Sequence, residues 1–385
     1  NKGVHPYIPE KGSLGASGDL APLAHMVLPM LGLGDAEYQG TVMPGKEAME
    51  KAGIPIIHLE AKEGLALING TPILTAMGVF ALWEGMSLLK QSDIAAALSI
   101  EAQRGIIDAF DERLHVIRPH RGQLDTAYNL RNLLAGSTYV THQGQLKVQD
   151  AYCLRCVPQI HGASKDALGF VKDKVDIEIN AATDNPIVLP DGDVISGGNF
   201  HGEPMALPFD FLGIGISEIA NVSERRLERL INNSLSGFPS FLVKHSGLNS
   251  GFMITQYAAA ALVSENKVLA HPASVDSIPS CENQEDLVSM GAHAARKAGE
   301  IAFNARRVVA TEILAACQAI DLREGEGFKL GAGTQAAYDA VRKTNDFIAY
   351  DKDIEMFKEL EKITDLVQAG GILEAVEDKV DLKFF

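Results

Sequence analysis

From residue 73 to about residue 104, Leu, Ala, Ile and Met recur at the helical period, with no proline after Pro72. That pattern predicts a single helix far longer than the roughly 11–12 residues of an average globular helix. Such a helix needs long partners to cover its apolar side. The candidates are 125–156 (broken near Gly136), 208–235, 251–269, 289–319 and an amphipathic tail, 335–369, carrying charged stripes. The expected fold class is therefore all-α, a bundle of long helices with a Gly-rich N-terminal cap region. Residues 1–72, rich in Gly and Pro and holding a β-branched run at 54–57, predict loops, a brief hairpin and a short helix from about Leu20. The expected division is a cap region, 1–72, and one continuous helical unit, 73–385. Two polar, Gly-rich connectors, 181–204 and 271–286, interrupt the helices, and no internal repeat or low-complexity tract is visible.

Charge and composition exclude several classes of partner. The 385 residues include 34 Lys and Arg against 50 Asp and Glu, a formal charge of −16, so the surface repels nucleic-acid phosphates and anionic lipid. A hydrophobic share of 46% with 22% charged residues suits a compact globular protein. The apolar stretch 73–82 is too short to cross a bilayer and is soon followed by Glu84 and Lys90. The four cysteines, Cys153, Cys156, Cys281 and Cys317, do not make a disulfide framework, which points to reduced thiols and a cytoplasmic protein. The polar opening NKGVHPYIPEKGS does not read as a secretory signal, and a start at Asn1 leads us to expect further sequence upstream.

The segment GSLGASGDLAPLAHM, residues 12–26, packs glycines around Ser17 and then runs into an apolar helical stretch. In Ala16-Ser17-Gly18 the amide nitrogen of Gly18 can attack the Ala16 carbonyl carbon only in a tight turn with no side chain at position 18. Loss of two waters then closes a five-membered ring and turns the Ser17 side chain into an exocyclic methylene. The product is an electrophile, which ordinary side chains do not provide. The plain alternative is a Gly-rich capping turn in which Asp19 favours the N-terminus of the helix that follows.

The whole string resembles the signature of the aromatic amino acid ammonia-lyases, which carry a 4-methylidene-imidazol-5-one (MIO) made in this way. The resemblance continues, in order, through LALINGT (65–71), QDAYCLRCVPQIHG (149–162), EINAATDNP (178–186), SGGNFHGEP (196–204) and ASVDSIPSCENQEDLVSMG (273–291). It implies the helical fold of fumarase and aspartase, a homotetramer with active sites shared between subunits, and MIO from Ala16, Ser17 and Gly18 with no external cofactor. It also implies an upstream stretch carrying the tyrosine that serves as general base.

The same resemblance assigns roles to particular residues. On a helix Tyr152 and Arg155 share a face. Arg155 is expected to grip the substrate carboxylate bidentately, with Tyr152 and Gln149 near the electrophile. Asn69 is expected to hydrogen-bond the ring oxygen, Asn185 to be a polar neighbour of the ring, and Phe200 to form an aromatic wall beside the substrate. Glu285 stands where relatives acting on phenylalanine or tyrosine generally carry Gln and those acting on histidine carry Glu. A carboxylate can accept an imidazole N–H but would face a phenyl ring without a partner. Histidine, giving urocanate, is the expected substrate. Leu287 and the SCEN run at 280–283 depart from the pattern of the histidine enzymes, and Glu282 is a second carboxylate nearby. The alternatives are a phenylalanine or tyrosine ammonia-lyase or aminomutase, and a non-catalytic helical scaffold in which the ring never forms.

Other motifs carry less. Cys153 and Cys156 form a CxxC spacing with no second pair to complete a zinc site, the eleven histidines show no HExxH, and no metal is expected. The Gly-rich run 325–333 is not expected to follow a strand and so does not read as a dinucleotide site.

Overall fold

The computed structural model describes residues 1–323 and 327–384. The chain adopts the expected helical class. Its longest helices are Pro72–Ala102, Val157–Glu178, Glu203–Ile231, Met253–Leu269 and Gly291–Asp321. The chain forms two compact units: residues 1–81, 171–210 and 272–299, and residues 82–170, 211–271 and 300–385. The first unit therefore gathers the N-terminal stretch together with most of both polar connectors.

In the first unit, an antiparallel sheet pairs Val4–Pro6 with Asp35–Tyr38 and the latter with Thr41–Pro44. The β-branched run 54–57 joins no strand. Pro55 interrupts it, and its backbone bonds run from the Ile54 N–H to the Met49 carbonyl and from the Ile57 N–H to the Met30 carbonyl. The helix Leu20–Val27 follows Asp19, but the Asp19 carboxylate does not cap it. Asp19 Oδ2 instead accepts the Leu74 N–H at 2.8 Å, in the first turn of the helix that opens at Pro72. The capping carboxylate thus serves a helix distant in sequence. Glycine allows a close approach further along, because a Cβ on Gly78 would lie 2.0 Å from the Phe209 ring.

The second unit buries charge as well as apolar surface. Asp93, His161, Lys165, Arg226 and Glu312 are all fully buried. Asp93 accepts from Lys165 at 2.6 Å and pairs with His161 Nδ1 at 2.7 Å. Glu312 accepts from Arg226 Nε at 2.6 Å and Nη2 at 2.9 Å, and from the Ser99 and Ser223 hydroxyls at 2.6 Å each. Arg226 Nη1 lies 3.3 Å from His161 Nε2. Burial lowers the His161 pKa, which favours the neutral ring; it then donates through Nδ1 to Asp93 and accepts from Arg226. Removing one member would leave a buried charge uncompensated.

By length and composition, Pro72–Ala102 and Glu203–Ile231 could each cross a membrane, a match not apparent from residues 73–82 alone. Asp93 and Arg226 sit on these helices in buried ion pairs, the arrangement of core helices.

Two helical expectations need correction. The candidate 125–156 is a helix only at Arg121–Leu133 and again at Tyr152–Arg155, with the 22-residue Val157–Glu178 beyond it. Between them Asp108 accepts from the His142 ring and the Gln143 N–H, and Asp150 from the Ile106 N–H, so side chains rather than a helix satisfy this backbone. Pro158 stands in the first turn of the next helix, where its missing N–H costs nothing. The tail 335–369 is two helices, Ala332–Thr344 and Met356–Gln368, because the Asn345 side chain bonds Glu359 and turns the chain. Of the Gly-rich run, Gly325 and Glu326 lie outside the described residues; the remainder leads into Ala332–Thr344.

Candidate active site

Left-handed backbone dominates the turn around Ser17. Gly15, Ser17 and Gly18 have φ of 83°, 51° and 82°. Glycine takes such angles at little cost and serine does not, so Ser17 is held there by its surroundings. Gly18 N–H closes the turn on the Gly15 carbonyl at 3.4 Å. The Gly70 N–H donates to the Ser17 carbonyl at 3.2 Å, and the Asp19 N–H to the Gly70 carbonyl at 2.7 Å. A Cβ on Gly18 would lie 1.9 Å from that Gly70 oxygen, and one on Gly15 2.2 Å from Ser289 Oγ. Only glycine fits at position 18, the requirement that ring closure through its nitrogen imposes.

The residue after the tripeptide is a fully buried acid. Burial raises the Asp19 carboxyl to about 6, against hydrogen bonds from Leu74, Ser13 and Ile73 that lower it.

Glu285 faces the tripeptide directly. Its Oε1 accepts from Ser17 Oγ at 3.0 Å and its Oε2 from Ser280 Oγ at 2.7 Å. Reciprocal backbone bonds between residues 280 and 285, at 3.0 and 3.3 Å, close the loop that carries it. Within that loop Cys281, Glu282 and Asn283 are all left-handed. The Glu282 side chain is exposed, as is Leu287, whereas Glu285 is half-buried.

Asn69 is 5% exposed, beside Gly70 in the turn that binds the tripeptide. Its Nδ2 donates to Asp184 Oδ1 at 3.1 Å and to the Asn185 carbonyl at 3.0 Å, while its Oδ1 is buried without a hydrogen-bond partner. Lys62 Nζ reaches both Asp184 oxygens, at 3.0 and 2.8 Å, and the Asn185 carbonyl at 3.2 Å. Burial works to raise the Asp184 carboxyl, but hydrogen bonds from Lys62, the Asn185 N–H and Asn69 outweigh it and hold the group below its ordinary value. The Asn185 side chain turns to the neighbouring loop, accepting from Ser196 Oγ and the Gly197 N–H. Phe200 is half-buried ahead of the helix Glu203–Ile231. Ala16, Ser17, Gly18, Asn69, Asn185, Phe200 and Glu285 all belong to the first unit.

Gln149, Tyr152 and Arg155 belong to the second unit. Tyr152 is 70% exposed, and the Arg155 guanidinium carbon lies 4.8 Å from its ring centroid, so the two share a helix face as their spacing predicts. A cavity of about 310 Å³ is lined by Gln149, Asp150, Arg155 and Gln159 among others. Arg155 Nε and Gln159 Oε1 are buried there without hydrogen-bond partners. A guanidinium with an unspent N–H at a cavity suits a carboxylate ligand.

Cys153 and Cys156 are free and half-buried, and burial raises the Cys153 thiol pKa. No group of three or more potential metal ligands exists among the described residues.

Reading the sequence missed Lys62, Asp184, Ser280 and Gln159. Asp184 lies within the ATDNP block, but no spacing rule links it to Lys62, 122 positions away.

The sequence model of the aromatic amino acid lyases matches residues 1–343. A histidine ammonia-lyase from Clostridium tetani is 73% identical over 383 residues, covering 100% of this chain and 74% of that protein. The crystal structure of histidine ammonia-lyase from Trypanosoma cruzi superposes with a TM-score of 0.91 at 42% identity, over 99% of this chain and 72% of that one. A tyrosine aminomutase from Streptomyces globisporus reaches a TM-score of 0.93 at 36% identity, over 99% of this chain and 76% of that one. With its tight Gly-flanked Ser17 turn and this breadth of similarity, the chain belongs to the aromatic amino acid lyase family.

Proposed function

We propose that this chain eliminates ammonia from L-histidine to give urocanate, using MIO formed from Ala16, Ser17 and Gly18. The observation that carries the reading is the Glu285 carboxylate, 3.0 Å from Ser17 Oγ. It sets a charged acceptor beside the reacting position, where an imidazole N–H finds a partner and a phenyl ring does not. The name of the Clostridium tetani relative supports the same substrate.

The residues present fit the modification. Position 18 tolerates only glycine, and the turn binds its own flanks through Gly70. When formed, the ring supplies an electrophilic carbon that makes the substrate nitrogen a better leaving group. Loss of Ser17 Oγ as water releases Glu285 Oε1 from its hydroxyl donor and leaves it open to the imidazole. Arg155 binds the substrate carboxylate bidentately, with Tyr152 and Gln149 beside it. In the reaction the Cα–N bond breaks, a proton leaves Cβ, and the carbon–carbon double bond of urocanate forms.

We further infer a homotetramer with active sites shared between subunits. Exposed apolar side chains such as Trp83, Tyr257 and Val268, at 69%, 58% and 68%, support a covered surface. The four free thiols support a cytoplasmic location.

The test is turnover of L-histidine, L-tyrosine and L-phenylalanine by the purified full-length protein, each followed by product absorbance. Histidine should be strongly preferred. Preference for tyrosine or phenylalanine would overturn the histidine reading while leaving family membership intact, and absence of turnover with all three would favour a scaffold.

A further inference from the structure

The geometry points to Lys62 and Asp184 as positioning residues that fix the amide of Asn69 so that its oxygen, not its nitrogen, is offered to the substrate as an acceptor for the amino group. The inference rests on the ammonia-lyase reading and deepens it.

The orientation of Asn69 follows from the chemistry of its partners. Asp184 Oδ1 and the Asn185 carbonyl can only accept, so the amide group that meets both, at 3.1 and 3.0 Å, must be the NH2. Both N–H bonds are then spent, and Oδ1 is left buried without a partner. A buried carbonyl oxygen without a donor is costly to leave unmatched, so it is a site waiting for one. It cannot serve the oxygen of a ring made from the tripeptide, which is itself an acceptor. The substrate brings a donor of the right kind in its amino N–H groups. Asn69 is in the right place, since the next residue, Gly70, is hydrogen-bonded to Ser17 and Asp19.

The acceptors that orient Asn69 are themselves held. Asp184 takes two bonds from Lys62 Nζ and one from the Asn185 N–H at 2.7 Å, and the same ammonium bonds the Asn185 carbonyl. The Lys62 side chain is 28% and that of Asp184 19% exposed, so the pair is shielded from solvent more than a surface bridge. Lys62 holds a left-handed backbone, φ 75°, which a lysine adopts only under local constraint. Gly70 packs so tightly on Thr183 that a Cβ there would lie 2.4 Å from the Thr183 carbonyl oxygen, which locks the 183–185 backbone against the turn. Asn at position 184 could donate to Asn69 Oδ1, and the Asn69 amide could then invert.

The experiment uses Ser17→Ala protein, in which no ring forms, and measures by calorimetry the binding of an amino acid and of its deaminated counterpart. The pair is L-histidine and imidazole-4-propionate, or the matching pair for whichever amino acid the native enzyme turns over. Adding Asp184→Asn should weaken amino acid binding about tenfold while the amine-free ligand changes less than about twofold; tenfold corresponds to about 1.4 kcal/mol. Lys62→Met should weaken amino acid binding by a smaller factor, about threefold, and Lys62→Arg should restore it. A parallel loss for both ligands, or no loss for either, overturns the inference and leaves the ammonia-lyase reading standing. If Ser17→Ala protein binds neither member of any pair, the inference and that reading fall together.

Discussion

In the first unit the loop around Ser17 is held by its own chain, whereas in the second the segment 149–155 presents its candidate binding side chains with few partners. Asp19 is fully buried, Asn69 nearly so, and Glu285 carries two hydroxyl donors. Tyr152 is 70% exposed, Gln149 is exposed, and Arg155 Nε is buried yet unbonded. The contrast suits the chemistry proposed for each region. Ring closure within one peptide needs a fixed backbone before any ligand arrives. A carboxylate grip needs donors left unspent until the ligand arrives.

The largest expected effect breaks the closed region chemically without unfolding it. Ser17→Ala should lower turnover by several orders of magnitude, because the exocyclic carbon comes from the Ser17 side chain. Intact mass should show no loss of two waters. The thermal midpoint should barely move, since backbone bonds through Gly15 and Gly70 hold the turn and the Ser17 hydroxyl is already lost when the ring forms. Near-normal activity in protein free of unmutated enzyme would end the electrophile reading. A collapsed midpoint would mean that the ring, not the backbone contacts, holds the loop.

The open region should respond in binding rather than in assembly. Arg155→Lys replaces a planar fork by a point charge. The expected cost is about 1.5–3 kcal/mol, tenfold or more in affinity for substrate and for carboxylate-bearing inhibitors. Because Arg155 Nε has no hydrogen bond to lose and a lysine ammonium can still face the exposed Tyr152 ring, stability should change little. Unaltered inhibition constants would return Arg155 to a structural role.

The two regions also differ in how far sequence revealed them. The helix Pro72–Ala102 was legible because its apolar residues keep one period without a proline. The helix Val157–Glu178 was not, because the polar segment before it looks compatible with a helix until Asp108 and Asp150 are seen capturing its backbone and that of Ile106. Glu285 could be singled out within a recognisable block, and its approach to Ser17 across 268 positions then emerged from the fold. The orientation of Asn69 could not be read at all. It depends on Lys62 and Asp184, ordinary charged residues whose meaning lies only in their meeting.

Glu285→Gln asks whether charge at the closed region selects the substrate. Gln keeps the shape and can still accept, but a neutral bond replaces a charge-assisted one. Histidine turnover should fall about tenfold, since about 1.4 kcal/mol corresponds to one decade of rate. Tyrosine and phenylalanine should be handled no worse, because neither offers a partner for the charge. Normal histidine turnover by this variant would remove Glu285 from substrate selection.

The last effect is on stability alone, read as a few degrees of midpoint, and it sets two buried acids against each other. Asp19 is raised from 3.8 to about 6, chiefly by burial. The folded state therefore holds its proton more tightly than the unfolded chain, and the associated stability is fully present below pH 3.8 and lost as pH rises through about 6. Two units amount to about 3 kcal/mol at most, a few degrees in the thermal midpoint of a chain this long. Burial also opposes ionisation of Asp93, but Lys165 and His161 outweigh it and lower its pKa, so its stabilisation is present above the unfolded value and lost as pH falls through the lower, folded one. Asp19→Asn can keep both native contacts, its amide oxygen accepting from Leu74 and its NH2 donating to Ser13 Oγ, while removing the titration. The midpoint of the variant relative to native protein should therefore rise between pH 4.5 and pH 7.5. A difference that stays flat across that range would show that Asp19 is ionised throughout and that its hydrogen bonds, not burial, set its charge.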